Sequence, residues 1–127
     1  MASKQVIVMK KFKGLRTGKY CAQASHASLG AFLSLADKQE DKFVIPLDNP
    51  FVKEWLLGKF RKITVYVETD KELIDIYNAA RAASIATAII VDSGLTEFNG
   101  IPTMTAVGIG PDDEEKINKI TGHLPLF

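Results

Sequence analysis

The chain predicts an α/β fold, a three-layer α/β/α arrangement on a four-stranded mixed sheet with three strands parallel and the last antiparallel. Three observations carry this. Short β-branched runs alternate with longer stretches of helical periodicity. The first such run is apolar from Val6 to Met9, as a strand covered on both faces must be. The 127 residues with 46% hydrophobic content suit one core without a linker, so residues 1–127 are read as a single domain.

Residues 5–9 form the first strand, ended by Lys10 and Lys11. A loop follows, and Thr17 can cap a helix running to about residue 36, whose Ala22, Ala24, Ala27, Ser28, Gly30 and Ala31 permit close approach to a sheet. Residues 37–50, polar and containing Pro46 and Pro50, read as a loop; Pro50 then opens a short helix with Phe51, Trp55 and Leu56. Residues 63–67 are the second strand. Thr69 with Glu72 makes a capping box for a helix to about residue 83, buried along Leu73, Ile76, Tyr77 and Ala80. Residues 86–91 read as a third, centrally buried strand carrying Asp92-Ser93-Gly94 at its carboxyl end. A fourth strand, residues 103–109, stops at Gly110-Pro111. The acids Asp112, Asp113, Glu114 and Glu115 suit the positive end of a last helix that bears Ile117 and Ile120 and stops at Gly122. Helical crossovers make the first three strands parallel, and the helix-free connection before the fourth makes that one antiparallel.

A net charge of +1 conceals a division, because residues 1–62 hold 12 Lys/Arg against 5 Asp/Glu and residues 63–127 hold 4 against 10. Lys10, Lys11, Lys13, Arg16 and Lys19 are interrupted by no acid, so one end of the molecule is expected to attract a polyanion such as a nucleic-acid backbone. No apolar run approaches the roughly 18 residues of a membrane span and the first residues are polar, so a cytoplasmic protein without membrane contact is expected. The lone Cys21 has no disulfide partner, and no Cys or His cluster suggests a metal.

At helical spacing, Lys19, Gln23 and His26 share one face of an otherwise small and apolar rod. In open α/β sheets, sites gather at the carboxyl ends of parallel strands, which here deliver the basic 10–19 loop and the 92–105 loop to one rim. Asp92, Thr96, Thr103 and Thr105 can hold and polarise a water, while Lys19 at a helix start can bind a phosphate or a developing oxyanion. Asp-Ser-Gly after a strand is also an ordinary turn. A phosphate loop is rejected: Gly14 and Gly18 are one residue too close, and Tyr20 replaces the hydroxyl that would hold magnesium. A Cys21–His26 nucleophile pair fails too, since five residues turn a helix by roughly 140°.

GKYCAQASHAS, VDSGLTEF, TAVGIGP and ITGHLPLF, in that order, resemble the type 2 peptidyl-tRNA hydrolases over nearly the whole chain. The resemblance implies hydrolysis of the ester between a peptide and the 3′ ribose of tRNA, on a mixed four-stranded sheet, often as a homodimer and without a cofactor. It places the family's catalytic lysine, aspartate and two threonines on Lys19, Asp92, Thr96 and Thr105, and its A-Q-x-S-H-A segment on Gln23 and His26. Lys10, Lys13 and Arg16 are then expected to hold the acceptor-end phosphates. Three departures stand out: Met9-Lys10-Lys11-Phe12 where Arg-x-Asp-Leu is common, Leu95 and Glu97 where Arg and Gln often flank the threonine, and a longer 99–105 stretch that makes Thr103 a rival to Thr105. The competing reading is a non-catalytic RNA-binding or adaptor domain.

Overall fold

In the computed structural model, which describes residues 2–127, β1 (Ser3–Lys10) leads through α1 (Thr17–Leu33) to the two-residue strands β2 (Asp37–Lys38) and β3 (Phe43–Val44). Then come α2 (Pro50–Leu57), β4 (Lys62–Val67), α3 (Asp70–Ala82), β5 (Thr87–Asp92), β6 (Thr103–Asp113) and α4 (Glu114–Thr121). Local chemistry sets most boundaries. Asn49 Oδ1 accepts from the Phe51 and Val52 N–H groups ahead of α2, where Pro50 has no N–H to lose. Thr69 Oγ1 accepts from the Glu72 N–H at 3.2 Å and donates to its carboxylate at 2.8 Å, capping the start of α3 as expected. Asp113 caps α4 through the Glu115 N–H. At α1, however, Arg16 rather than Thr17 occupies the capping position, and no side chain caps the helix. The 37–50 segment, expected as plain loop, contains the β2–β3 hairpin, whose four residues are all exposed and thus lack the alternation that betrays a half-buried strand.

The sheet is four-stranded and mixed, but its order is β4-β1-β6-β5. Only β1 and β4 form a parallel pair; β6 is antiparallel to both of its neighbours, β1 and β5. The expected block of three parallel strands is therefore corrected: β5 points the same way as β1 and β4 yet is separated from them by β6. It is also an edge strand rather than a central one, with Val91 57% exposed. A crossover helix fixes a strand's direction and leaves its neighbour undecided. Nor does β6 stop at Gly110-Pro111. It continues to Asp113 opposite Ser3, with Gly110 and Pro111 facing the single residue Gln5 in a bulge, a place where proline's missing N–H is tolerated.

Alternate residues of β1 face opposite layers. Val6 and Val8 join Val65, Val67, Leu73, Ile76, Val107, Ile109 and Ile117 beneath α3 and α4, while Ile7 and Met9 join Ala27 and Ala106 beneath α1. The small face of α1 approaches closely as expected: a Cβ on Gly108 of β6 would collide with the Ala27 carbonyl, and one on Gly30 would lie 3.2 Å from the Ala88 Cβ. The start of α1 is thus fixed over the rim where β1 and β5 end and β6 begins. Along the outer edge of β4, the Tyr66 N–H donates to the Pro125 carbonyl and the Phe127 N–H to that of Thr64, so residues 125–127 cover an otherwise open strand.

Candidate active site

Lys19 and Asp92 meet at this rim. Lys19 Nζ donates to Asp92 Oδ1 and to Thr96 Oγ1, both at 3.0 Å, and the two charged side chains are only 14% and 13% exposed. Gln23, one turn along α1, donates from Nε2 to the same Asp92 oxygen at 3.2 Å. The Gly94 N–H donates to Asp92 Oδ2 at 2.9 Å. Gly94 turns with φ +81°, and a side chain there would strike the Ile101 backbone, so the loop that shapes this carboxylate site requires glycine.

Behind the pair lies a buried relay. Thr105 Oγ1 donates to Gln23 Oε1 at 2.6 Å, with both residues at most 2% exposed. Because Thr105 claims the amide oxygen, the Gln23 amide nitrogen is the end that faces Asp92. Thr103 is not in this relay; its hydroxyl donates to the Ile101 carbonyl at 2.8 Å. The expected support of Asp92 by threonine hydroxyls is therefore indirect, with Thr96 acting on Lys19 and Thr105 on Gln23. Lys19 beside Asp92, together with the Gly94 and Gln23 N–H groups, holds the carboxyl below its ordinary range against the opposing effect of burial. Asp92 is an anion at neutral pH, and Oδ2 keeps a lone pair beyond its bond to Gly94. A cleft of about 470 Å³ lined by Arg16, Gly18, Lys19, Ala22, Thr96 and Glu97 opens beside these groups. A groove of about 440 Å³ between α1 and α2, lined by Ala24, Leu29, Phe32, Trp55 and Phe60 among others, contains no acid and no part of the relay.

The remaining expected site residues divide. Lys10 is drawn to Asp70 at 2.5 Å and Arg16 to Glu97 at 2.5 Å, so acids of the second half of the chain neutralise part of the basic loop. Lys11 and Lys13 are exposed and make no ion pair among the described residues. His26 shares the helix with Lys19 and Gln23 but is exposed, and its imidazole makes no hydrogen bond among the described residues. Phe12 and Phe98, not anticipated as site residues, pack at 4.9 Å beside Lys19. The signal that marks Phe12 is an aromatic set between two lysines, Lys11-Phe12-Lys13.

The family model described as Peptidyl-tRNA hydrolase PTH2 matches residues 3–127. The chain is 44% identical over 125 residues to a peptidyl-tRNA hydrolase of Methanocaldococcus jannaschii, covering 98% of this chain and 99% of the relative. It is 41% identical over 124 residues to one from Methanothermobacter thermautotrophicus, with 98% and 99% covered, and 37% identical to one from Methanopyrus kandleri, with 98% and 97% covered.

Proposed function

The chain belongs to the peptidyl-tRNA hydrolase family PTH2, and from that premise we propose that it hydrolyses the ester of peptidyl-tRNA at the rim where α1 meets the β5–β6 loop. The enzyme releases free tRNA and peptide. The observation that supports this site is the sheltered Lys19–Asp92 pair with its Gln23–Thr105 relay.

A water bound to Asp92 Oδ2 is aimed and polarised by the carboxylate, then attacks the ester carbonyl carbon while its proton passes to the carboxylate. The Lys19 ammonium, held by Asp92 and Thr96, stabilises the oxygen that gains negative charge. Collapse of the tetrahedral intermediate expels the 3′ oxygen of the terminal ribose, which takes the proton from Asp92. No covalent enzyme intermediate is needed. A carboxylate held below its ordinary range is a weak base, so its contribution leans on position and charge. Lys13 and Arg16 at the exposed edge hold acceptor-end phosphates, and Lys10 reinforces them through its field while paired to Asp70.

Residues 1–127 act in this reading as one domain, in the cytoplasm where translation supplies the substrate. No helix among the described residues is long and apolar enough to cross a membrane. Association into a homodimer is part of the same reading, which sedimentation velocity checks. The adaptor alternative is not favoured by the family relationship. Purified protein is expected to free tRNA from an N-acetyl-aminoacyl-tRNA, whereas Asp92→Asn binds the same tRNA and leaves the ester intact. Turnover undiminished in that variant would remove Asp92 from the chemistry.

A further inference from the structure

We propose that Phe12 and Phe98 form a stacking platform for the base of the tRNA's terminal nucleotide, so that the base is seated before its acylated ribose reaches Asp92. This rests on the hydrolase reading above. A continuous series of contacts runs along the rim: Lys10 Nζ lies 4.9 Å from the Phe12 ring centre, the Phe12 and Phe98 centroids are 4.9 Å apart, and Lys19 Nζ lies 5.9 Å from the Phe98 ring. Two half-buried rings thus bridge two ammonium groups, one of which belongs to the proposed reaction centre. Each ring comes from a different loop, Phe12 from the one before α1 and Phe98 from the β5–β6 connection, and they meet beside Lys19.

Phe12 is held in place. The Tyr20 hydroxyl of α1 accepts from the Phe12 N–H at 2.7 Å and donates to the Phe12 carbonyl at 2.8 Å. With both backbone groups tied to Tyr20 and the ring packed on Phe98, the Phe12 main chain is fixed before the substrate arrives, which lowers the entropic cost of stacking there. A base stacks on aromatic faces whatever its hydrogen-bonding edge, and neighbouring cations meet the adjoining phosphate. The ester that the enzyme cleaves is carried by the ribose attached to that base, so a base held at Phe98 brings the acyl carbon near Lys19. The structural alternative is that the two rings only tie the β5–β6 loop to the loop before α1.

The test uses an acceptor-stem minihelix carrying an N-acetyl-aminoacyl ester, and the same molecule whose last ribose lacks its base. With the intact minihelix, Phe98→Leu is expected to raise KM roughly tenfold with kcat little changed, and Phe98→Tyr to retain the wild-type KM. Phe12→Leu is expected to act in the same direction. Wild-type enzyme should suffer the same rise in KM with the abasic minihelix, and Phe98→Leu should add no further loss there. An unchanged KM for Phe98→Leu on the intact minihelix, or a loss that persists on the abasic one, would overturn the platform and leave the rings a structural tie. Wild-type enzyme inert towards both minihelices would instead overturn the hydrolase reading and the platform with it.

Discussion

Two ion pairs join the start of α1 to the end of β5 and the loop after it, and they differ where it matters for function. Lys19–Asp92 is sheltered on both sides and supported by Thr96, Gln23 and Gly94, whereas in Arg16–Glu97 the carboxylate is as sheltered, 13% exposed, but the guanidinium side chain is 77% exposed. A sheltered pair feels less solvent screening and keeps its geometry, while an exposed one contributes only about 0–1 kcal/mol and weakens with salt. Arg16, itself open to solvent, can therefore turn from Glu97 to a phosphate. Lys19 and Asp92 hold still while a substrate is brought to them. In the proposed mechanism this difference gives chemistry to one pair and capture to the other.

The largest break in this comparison is Lys19→Ala, which should lower kcat about 10²–10³-fold by deleting the group that meets the oxyanion, with tRNA affinity little altered; single-turnover assays and filter binding read the two quantities separately. Thr105→Val keeps the shape but leaves the buried Gln23 amide oxygen without its donor, at a cost of about 1–3 kcal/mol in stability by urea melts, with a smaller fall in kcat as Gln23 loses its orientation. Arg16→Ala and Lys13→Ala should raise KM severalfold, flatten its dependence on salt and spare kcat. Glu97→Gln, the smallest effect, should free Arg16 and tighten tRNA binding at low salt.

Acidification tests the sheltered pair through the difference between wild type and Asp92→Asn, since Glu114 beside Arg61 is also held below its ordinary range. Because the folded protein holds the Asp92 carboxyl below its ordinary range, its ionised form stabilises the fold at every pH above the unfolded value of roughly 3.9, and that support is lost as pH falls through the lower folded value. The stability difference between wild type and Asp92→Asn should thus be flat from weakly acidic pH upward and shrink only below the ordinary aspartate range.

Most of the element order and the meeting of Lys19 with Asp92 at one rim were legible because short-range chemistry writes them: β-branched runs, the Thr69–Glu72 cap, the acids that open α4, the small face of α1, and an acid at a strand's carboxyl end. The insertion of β6 between β1 and β5 was not, since which strands become neighbours depends on long-range pairing that no local pattern records. That placement still serves the site. It keeps β1 and β5 pointing the same way, so that their tips share a rim, and its reversed direction brings Thr105 there from the start of β6. The charge division misled in a related way. Lys10, Arg16 and Lys19 all meet acids from the other half of the chain, so the basic loop in space is far less bare than its sequence. Phe98 carried no local signal, because a single aromatic in a polar loop acquires meaning only from Phe12 and Lys19 beside it.

A double-mutant cycle across the sheltered pair is the most direct measurement. Single-turnover rates of ester cleavage are compared for wild type, Lys19→Ala, Asp92→Asn and the double variant, at saturating enzyme. Groups that work as one unit lose little more together than the worse of them loses alone, and the double variant is predicted to be no slower than about threefold below the slower single one. Losses that multiply in full, or a single variant with undiminished rate, would contradict the pair as the centre of the chemistry.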